Sequence, residues 1–295
     1  MPRGAVWSLY AMLVVIWSST WVVIEIGLED VPPLLSAGAR FGLAGAGLLI
    51  VARALGRSLR TDALLAGILA LLPFAAAYGL IYWGEQYVPS GLAAVLFGVM
   101  PLYSSVLAAL TLAAEPLRPR LVAGIVVAIA GLSLAFGATL DLGEGRYALA
   151  AAIACAAAPL ASACGNVAIK RRGAALDAVV LNGWAMLTGG LLLLVVSALA
   201  ETWQVRLGAQ AIASVAYLAA IGSAVTFVTL TVLLRELPAV TVSYITLLLP
   251  FGALAFGALL YGERVTLPAV AGAALVASGL LVAQWPARRR AAAAA

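Results

Sequence analysis

The chain has 295 residues, 65% of them hydrophobic and 10% charged, and its mean hydropathy is +1.12. A soluble domain is about half apolar and a quarter charged, so this composition excludes a chain that hides its apolar surface in one water-soluble core, and lipid must be part of its solvent. A formal net charge of +5 and a pI near 9.5 do not indicate nucleic acid, because the basic residues are scattered among short loops and form no patch.

Apolar stretches long enough to cross a hydrocarbon core, about 20 residues each, recur through the whole chain. In order they run Ala5 to Gly27, Leu34 to Ala54, Ala63 to Trp83, Ser90 to Leu112, Leu121 to Ala138, Ala148 to Ile169, Val179 to Leu199, Ala211 to Leu234, Val240 to Tyr261 and Leu267 to Trp285. The first is too long for a signal-peptide core and is followed by more of its kind, so it reads as a retained helix. An all-α membrane protein of ten transmembrane helices is predicted, with short linkers that make consecutive helices antiparallel neighbours. Thirteen of the 17 Lys and Arg residues fall on the side of the N-terminus, three (Arg146, Arg206 and Arg264) fall on the other, and Arg40 lies inside a span. That bias predicts a multi-pass membrane protein with both termini in the cytoplasm, and the bacterial inner membrane is the expected location.

Two spacings recur. Pro89 and Pro101 are 12 residues apart, as are Pro238 and Pro250, while Glu115, Gly124 and Gly131 repeat the spacing of Glu263, Gly272 and Gly279. The offset between copies is 149 residues for the prolines and 148 for the others. The chain therefore reads as two five-helix repeats, 1–143 and 144–295, integrated in one membrane domain. An odd number of helices per repeat makes the second enter from the other side, giving inverted topology around a central cavity. Exchanging the conformations of the halves would convert an outward-open cavity to an inward-open one, which points to a carrier; a passive membrane scaffold or a subunit of a membrane enzyme is the alternative.

Polar and aromatic residues within the spans are the candidates for a solute site. The first helix offers Trp17, Ser18, Ser19, Thr20 and Trp21, whose hydroxyls can bond a solute or their own helix carbonyls. In the second, Arg40 needs a partner; Glu25 or Glu29 is the expected one in a structural ion pair, with a substrate carboxylate as the alternative. Tyr78 and Tyr82 share one face of the third helix beside Trp83, and Phe97, Met100 and Tyr103 surround Pro101 in the fourth. In the second half the candidates are Ser162 and Asn166, then Trp184 with Asn182, then Tyr244 and Leu248 ahead of Pro250. Pro101 and Pro250 each free a carbonyl one turn earlier and are read as hinges, with a permanent kink as the alternative. Gly124, Gly131, Gly272 and Gly279 allow close helix approach on nearly apolar helices, which marks scaffold or lipid-facing elements and leaves a homodimer through them open.

Several chemistries are disfavoured. There is no histidine and no Gly-rich phosphate loop, and Asp30, Asp62, Asp141 and Asp177 all sit in predicted loops. Cys155 and Cys164 are nine residues apart within one helix, which suits neither a disulfide nor a metal pair. No enzyme activity, cofactor or metal is expected. Without a mid-membrane carboxylate, facilitated diffusion or exchange is the simplest mechanism, and Glu85, near an outer helix end, is the one weak candidate for proton coupling. Phosphorylated solutes would need a cluster of cavity-facing cations, so the site is expected to be neutral.

The segments Trp17-Ser18-Ser19-Thr20-Trp21, Pro32-Pro33 with Arg40-Phe41, Val88-Pro89-Ser90-Gly91 with Pro101 and Glu115, and Pro250 with Glu263, Gly272 and Gly279 together carry a family likeness. Over nearly its whole length the chain resembles the drug/metabolite transporter superfamily, specifically its EamA-type carriers. The resemblance implies a ten-helix bundle whose cavity is lined by the first four helices of each repeat, with the fifth more peripheral. It also implies movement of small metabolites, often outward, with amino acids prominent and an aromatic amino acid exporter the most compatible subfamily.

Overall fold

The computed structural model describes residues 1–88, 90–112, 117–136, 146–261 and 266–284, and among these every regular element is helical. The first repeat contributes α1 (Arg3–Leu28), α2 (Pro33–Ala54), α3 (Ala63–Gly84), α4 (Ser90–Phe97 and Met100–Thr111) and α5 (Pro119–Phe136). The second contributes α6 (Ala148–Arg172), α7 (Ala178–Ala200), α8 (Ala209–Glu236), α9 (Ala239–Ser243 and Ile245–Tyr261) and α10 (Leu267–Gln284). Seven of these meet the length and apolarity of a membrane span, and α5, α9 and α10 are shorter apolar helices. Large apolar side chains such as Leu43, Ile50, Leu110, Leu149, Leu191 and Val195 point away from the bundle, which gives it the apolar exterior that lipid requires. Glu115, Glu263, Pro89 and Trp285, which figured in the sequence pattern, lie outside the described residues.

The packing follows the repeat. Helix α2 packs on its mate α7, and α5 on its mate α10; α1 packs on α9 and α8, while its mate α6 packs on α4 and α3. Two copies of one unit, related by a pseudo-two-fold axis, produce this crossed set of contacts. The two self-paired contacts rest on glycine. A Cβ on Gly190 would stand 2.8 Å from the Gly38 carbonyl oxygen, and one on Gly272 would stand 2.5 Å from that of Gly131. The α5 and α10 glycines therefore seat the two helices on each other within one chain, and the face considered for dimerisation is already used.

Helix ends explain how α2 and α7 hold their alignment. Asp177 accepts hydrogen bonds from the backbone N–H groups of Val179 (2.8 Å) and Val180 (3.2 Å) at the start of α7, and the Arg57 guanidinium beyond the end of α2 reaches it at 3.1 Å. At the opposite face the roles reverse. Glu201, just past α7, accepts from Leu34 N–H (2.8 Å) and Leu35 N–H (3.0 Å) in the first turn of α2, where Pro32 and Pro33 have no N–H to offer. A carboxylate on an orphan helix N-terminus contributes about 1 kcal/mol; Glu201 caps α2 from across the repeat boundary, while Asp177 caps its own helix α7 and is tied to α2 through Arg57.

Four interruptions mark the core. Helices α3 and α8 each widen into a π segment, Ala70–Ala77 and Ala220–Val225. In α3 the widened register contains Pro73, which cannot donate to a normal helical ladder. Helix α4 breaks at Gly98 and Val99, just ahead of Pro101, as a proline-linked kink requires. Helix α9 breaks at Tyr244, whereas Pro250 lies inside the continuous segment Ile245–Tyr261. The break thus falls six residues ahead of Pro250, the position read as a hinge. Around the break, Ser243 Oγ donates to the Val240 carbonyl (2.7 Å) and Thr246 Oγ1 to that of Ser243 (2.8 Å), so hydroxyls compete for carbonyls that would otherwise extend the ladder.

Candidate functional site

A cavity of about 60 Å³ lies between the repeats. The first repeat lines it with Trp17, Thr20, Trp21 and Ile24 of α1, Pro73, Tyr78 and Ile81 of α3, and Phe97 and Met100 of α4. The second lines it with Ser162 and Asn166 of α6, Phe227 and Leu230 of α8, and Val242, Ser243, Ile245, Thr246 and Leu249 of α9. The π segments and helix breaks surround it. The two walls are related by the repeat, since 149 residues separate Tyr78 from Phe227, Ile81 from Leu230, Phe97 from Thr246 and Met100 from Leu249.

Aromatic rings form much of the wall. Phe227 meets Trp17 at 5.4 Å and Tyr78 at 6.0 Å between centroids, and Trp21 meets Phe97 at 5.8 Å, all edge to face. Such pairs add about 0.5–1.5 kcal/mol each beyond their area. Polar groups punctuate the apolar surface. Thr20, Ser243 and Thr246 each donate to a carbonyl of their own helix, which leaves their oxygens as acceptors. The Trp17 indole N–H is buried and has no acceptor among the described residues, and the Asn166 side chain, 6% exposed, completes the wall. No lining residue carries a charge.

Arg40 lies behind this wall with 0% exposure. Its Nε donates to Ser223 Oγ (2.7 Å), Nη1 to Tyr82 OH (3.2 Å) and Nη2 to the Gly222 carbonyl (3.0 Å), and the guanidinium stands 4.9 Å from the Tyr78 ring and 5.0 Å from the Phe41 ring. Gly222 and Ser223 belong to the π segment of α8. The ion pair expected with Glu25 is not what holds Arg40: neutral acceptors and ring faces solvate it. An ion pair would have required a second charge to be stripped of water, and neutral dipoles avoid that penalty.

The other sequence candidates separate clearly. Trp17, Thr20, Trp21, Tyr78, Phe97, Met100, Ser162 and Asn166 meet at the cavity. Ser18 does not; it donates to the Val14 carbonyl at 2.7 Å, and its side chain packs against Gly252, where any Cβ would collide with it. Tyr82 serves Arg40, and the Tyr103 hydroxyl donates to the Ala156 carbonyl at 3.3 Å, tying α4 to α6. Trp184 is 38% exposed and its indole donates to the Leu59 carbonyl, so it anchors the α2–α3 connection. Tyr244 packs in the smaller apolar cluster with residues of α5 and α10, and Leu248 packs on the main core. Phe227, Leu230, Thr246 and Leu249 were missed, although applying the proline offset of 149 to Tyr78, Ile81, Phe97 and Met100 locates all four.

Comparison with known proteins agrees with this geometry. The chain is 28% identical over 283 residues to the "Uncharacterized transporter YoaV" of Bacillus subtilis, spanning 93% of this chain and 95% of that one. It is 31% identical over 291 residues to a "Probable amino-acid metabolite efflux pump" of Salmonella typhimurium, spanning 92% of each. A shorter match, 41% over 106 residues, joins 34% of the chain to 33% of the "Uncharacterized inner membrane transporter YedA" of Escherichia coli. A solved crystal structure shares the fold with a TM-score of 0.80 at 21% identity, covering 96% of this chain and 97% of its own. Residues 4–137 and 149–284 each match the same family description, one match per repeat, and on that evidence the chain belongs to the EamA-like transporter family.

Proposed function

We propose that this transporter carries small amphipathic metabolites, amino acids with aromatic side chains among them, by alternating access of the cavity between units 1–143 and 144–295. The observation that carries the reading is the uncharged cavity itself, walled by Trp17, Trp21, Tyr78, Phe97 and Phe227 with hydroxyl and amide groups between them. Rings accept an apolar side chain, while the indole N–H, Asn166 and the hydroxyl oxygens match the polar end. At about 60 Å³ the cavity holds only about four waters, so a solute of amino-acid size requires it to widen. The repeat-related walls supply the moving parts, and the relative named as an amino-acid metabolite efflux pump supports the solute class. Cytoplasmic termini, from the basic-residue bias, complete the reading.

Purified protein in liposomes tests it. Vesicles loaded with unlabelled tryptophan, phenylalanine, leucine or alanine should take up the matching labelled amino acid by counterflow, fastest for the aromatic pair. Uptake no faster than in empty vesicles for every solute would fit a passive scaffold and overturn the reading; equal rates for all four would remove the aromatic preference alone.

A further inference from the structure

Glu85 follows α3 directly, and its backbone N–H donates to the Ile81 carbonyl at 2.9 Å. Its two carboxylate oxygens are sealed from solvent, and neither accepts a hydrogen bond among the described residues. The titratable groups close enough to act on it electrostatically are Glu25 of α1, Arg40 of α2, Tyr78 and Tyr82 of α3, and Cys155 of α6. Arg40 is the one cation among them, and its hydrogen bonds go to Ser223, Tyr82 and Gly222. An ionised carboxyl here would sit buried beside a second acid without a hydrogen-bond donor, an arrangement that costs several kcal/mol. The neutral acid avoids that cost. The sequence made Glu85 a weak candidate for coupling because it stands at a helix end; its enclosure changes that assessment.

We propose that Glu85 is a proton-binding carboxyl that couples proton movement to solute transport, an inference that rests on the carrier reading above. In the conformation described, the second repeat holds Arg40 through Gly222 and Ser223, and Glu85 keeps its proton. When the repeats move and that hold is released, the guanidinium turns to Glu85. The O–H bond then breaks, its electron pair stays on the carboxylate that Arg40 neutralises, and the proton passes to water on the face opposite the N-terminus. Return of Arg40 to the π segment of α8 requires Glu85 to take up a proton again, this time from the face of the N-terminus, so that one cycle moves one proton across the membrane.

Two measurements on the full chain test this. In detergent at pH 7, the infrared difference between wild type and E85Q should contain the C=O stretch of a protonated carboxyl, shifted in D₂O; a difference containing only ionised-carboxylate bands would overturn the assignment. In liposomes that show counterflow, a pH difference of one unit should drive wild-type solute accumulation towards about tenfold for one proton per solute, since one unit is 1.36 kcal/mol. Counterflow without any response to the gradient would overturn the coupling and leave the carrier reading intact. Absence of counterflow for every solute would overturn the carrier reading on which the coupling rests. The wild-type gradient measurement depends on no variant, so poor folding of E85Q does not remove the test.

Discussion

Tyr78 and Phe227, repeat mates 149 residues apart, face each other with their ring centroids 6.0 Å apart. A residue and its own counterpart can touch only where the pseudo-symmetry axis passes, so this contact lies on that axis. Each ring stands at the C-terminal edge of a π segment, Tyr78 directly after Ala70–Ala77 and Phe227 two residues after Val225 closes the other. Since a π segment stores an alternative hydrogen-bond register, the two rings sit where a change of register in either repeat would be felt first.

Phe227→Leu separates packing from recognition. The ring also meets Phe74 at 4.9 Å and Phe41 at 6.3 Å, so the loss of several edge contacts should lower stability by about 1–2 kcal/mol without preventing folding. Counterflow of aromatic amino acids should fall at least about tenfold, a change of about 1.4 kcal/mol, and that of alanine much less. Thermal unfolding by intrinsic fluorescence, paired with initial uptake rates, reads both effects; an equal loss for both solutes would make Phe227 a packing residue alone.

Asn166→Ala should leave the fold largely intact, because Asn166 lines the cavity and the helix gains a better helix former. Losing one hydrogen bond to a neutral solute is worth about 0.5–1.5 kcal/mol, so the half-saturating concentration should rise roughly threefold to tenfold with little change in maximal rate. A fall in maximal rate with unchanged half-saturation would place Asn166 in the conformational step.

The helices were legible from hydropathy because a bilayer demands long apolar runs, and α8 differs from its predicted span, Ala211 to Leu234, by only two residues at each end. The internal repeat was legible from prolines and glycines. What hydropathy hides is register. The π segments and the break at Tyr244 change which faces of α3, α8 and α9 turn inward, so Tyr244 and Leu248 gave way to Thr246 and Leu249. Arg40 failed for another reason: opposite charges suggest an ion pair in a sequence, whereas a carbonyl exposed by a widened helix turn leaves no trace there.

Arg40→Met tests that neutral solvation shell. Removing the guanidinium leaves the Tyr82 hydroxyl and the Ser223 side chain without their charged donor and removes the cation from two ring faces, so a loss of about 3–5 kcal/mol is expected. Arg40→Lys keeps the charge but cannot reach three acceptors with a planar fork, and should fall between the two. Detergent-solubilised protein monitored by size-exclusion chromatography during heating gives the order; Met as stable as wild type would mean the burial of Arg40 is structurally neutral.

Asp62 gives the structure a pH-dependent latch at the N-terminal face. It caps α3 by accepting from Leu65 N–H at 3.1 Å and receives the Arg172 guanidinium from the end of α6 at 2.9 Å. The Leu65 N–H and then Arg172 hold its carboxyl below the ordinary carboxylate value. A depressed folded value means that the contribution is complete above the unfolded value, near about 3.9, and is lost as pH falls through the lower folded one. Asp62→Asn keeps a capping oxygen but removes the charge. The thermal midpoint of the variant should therefore lie below that of wild type by a constant amount between pH 7 and 5, and the gap should close below about pH 4 as the wild-type carboxyl takes up its proton. High salt should narrow the gap at neutral pH too, because the pair faces solvent. No gap at neutral pH would mean that Asp62 acts through its capping oxygen alone, and that Arg172 adds nothing to the latch.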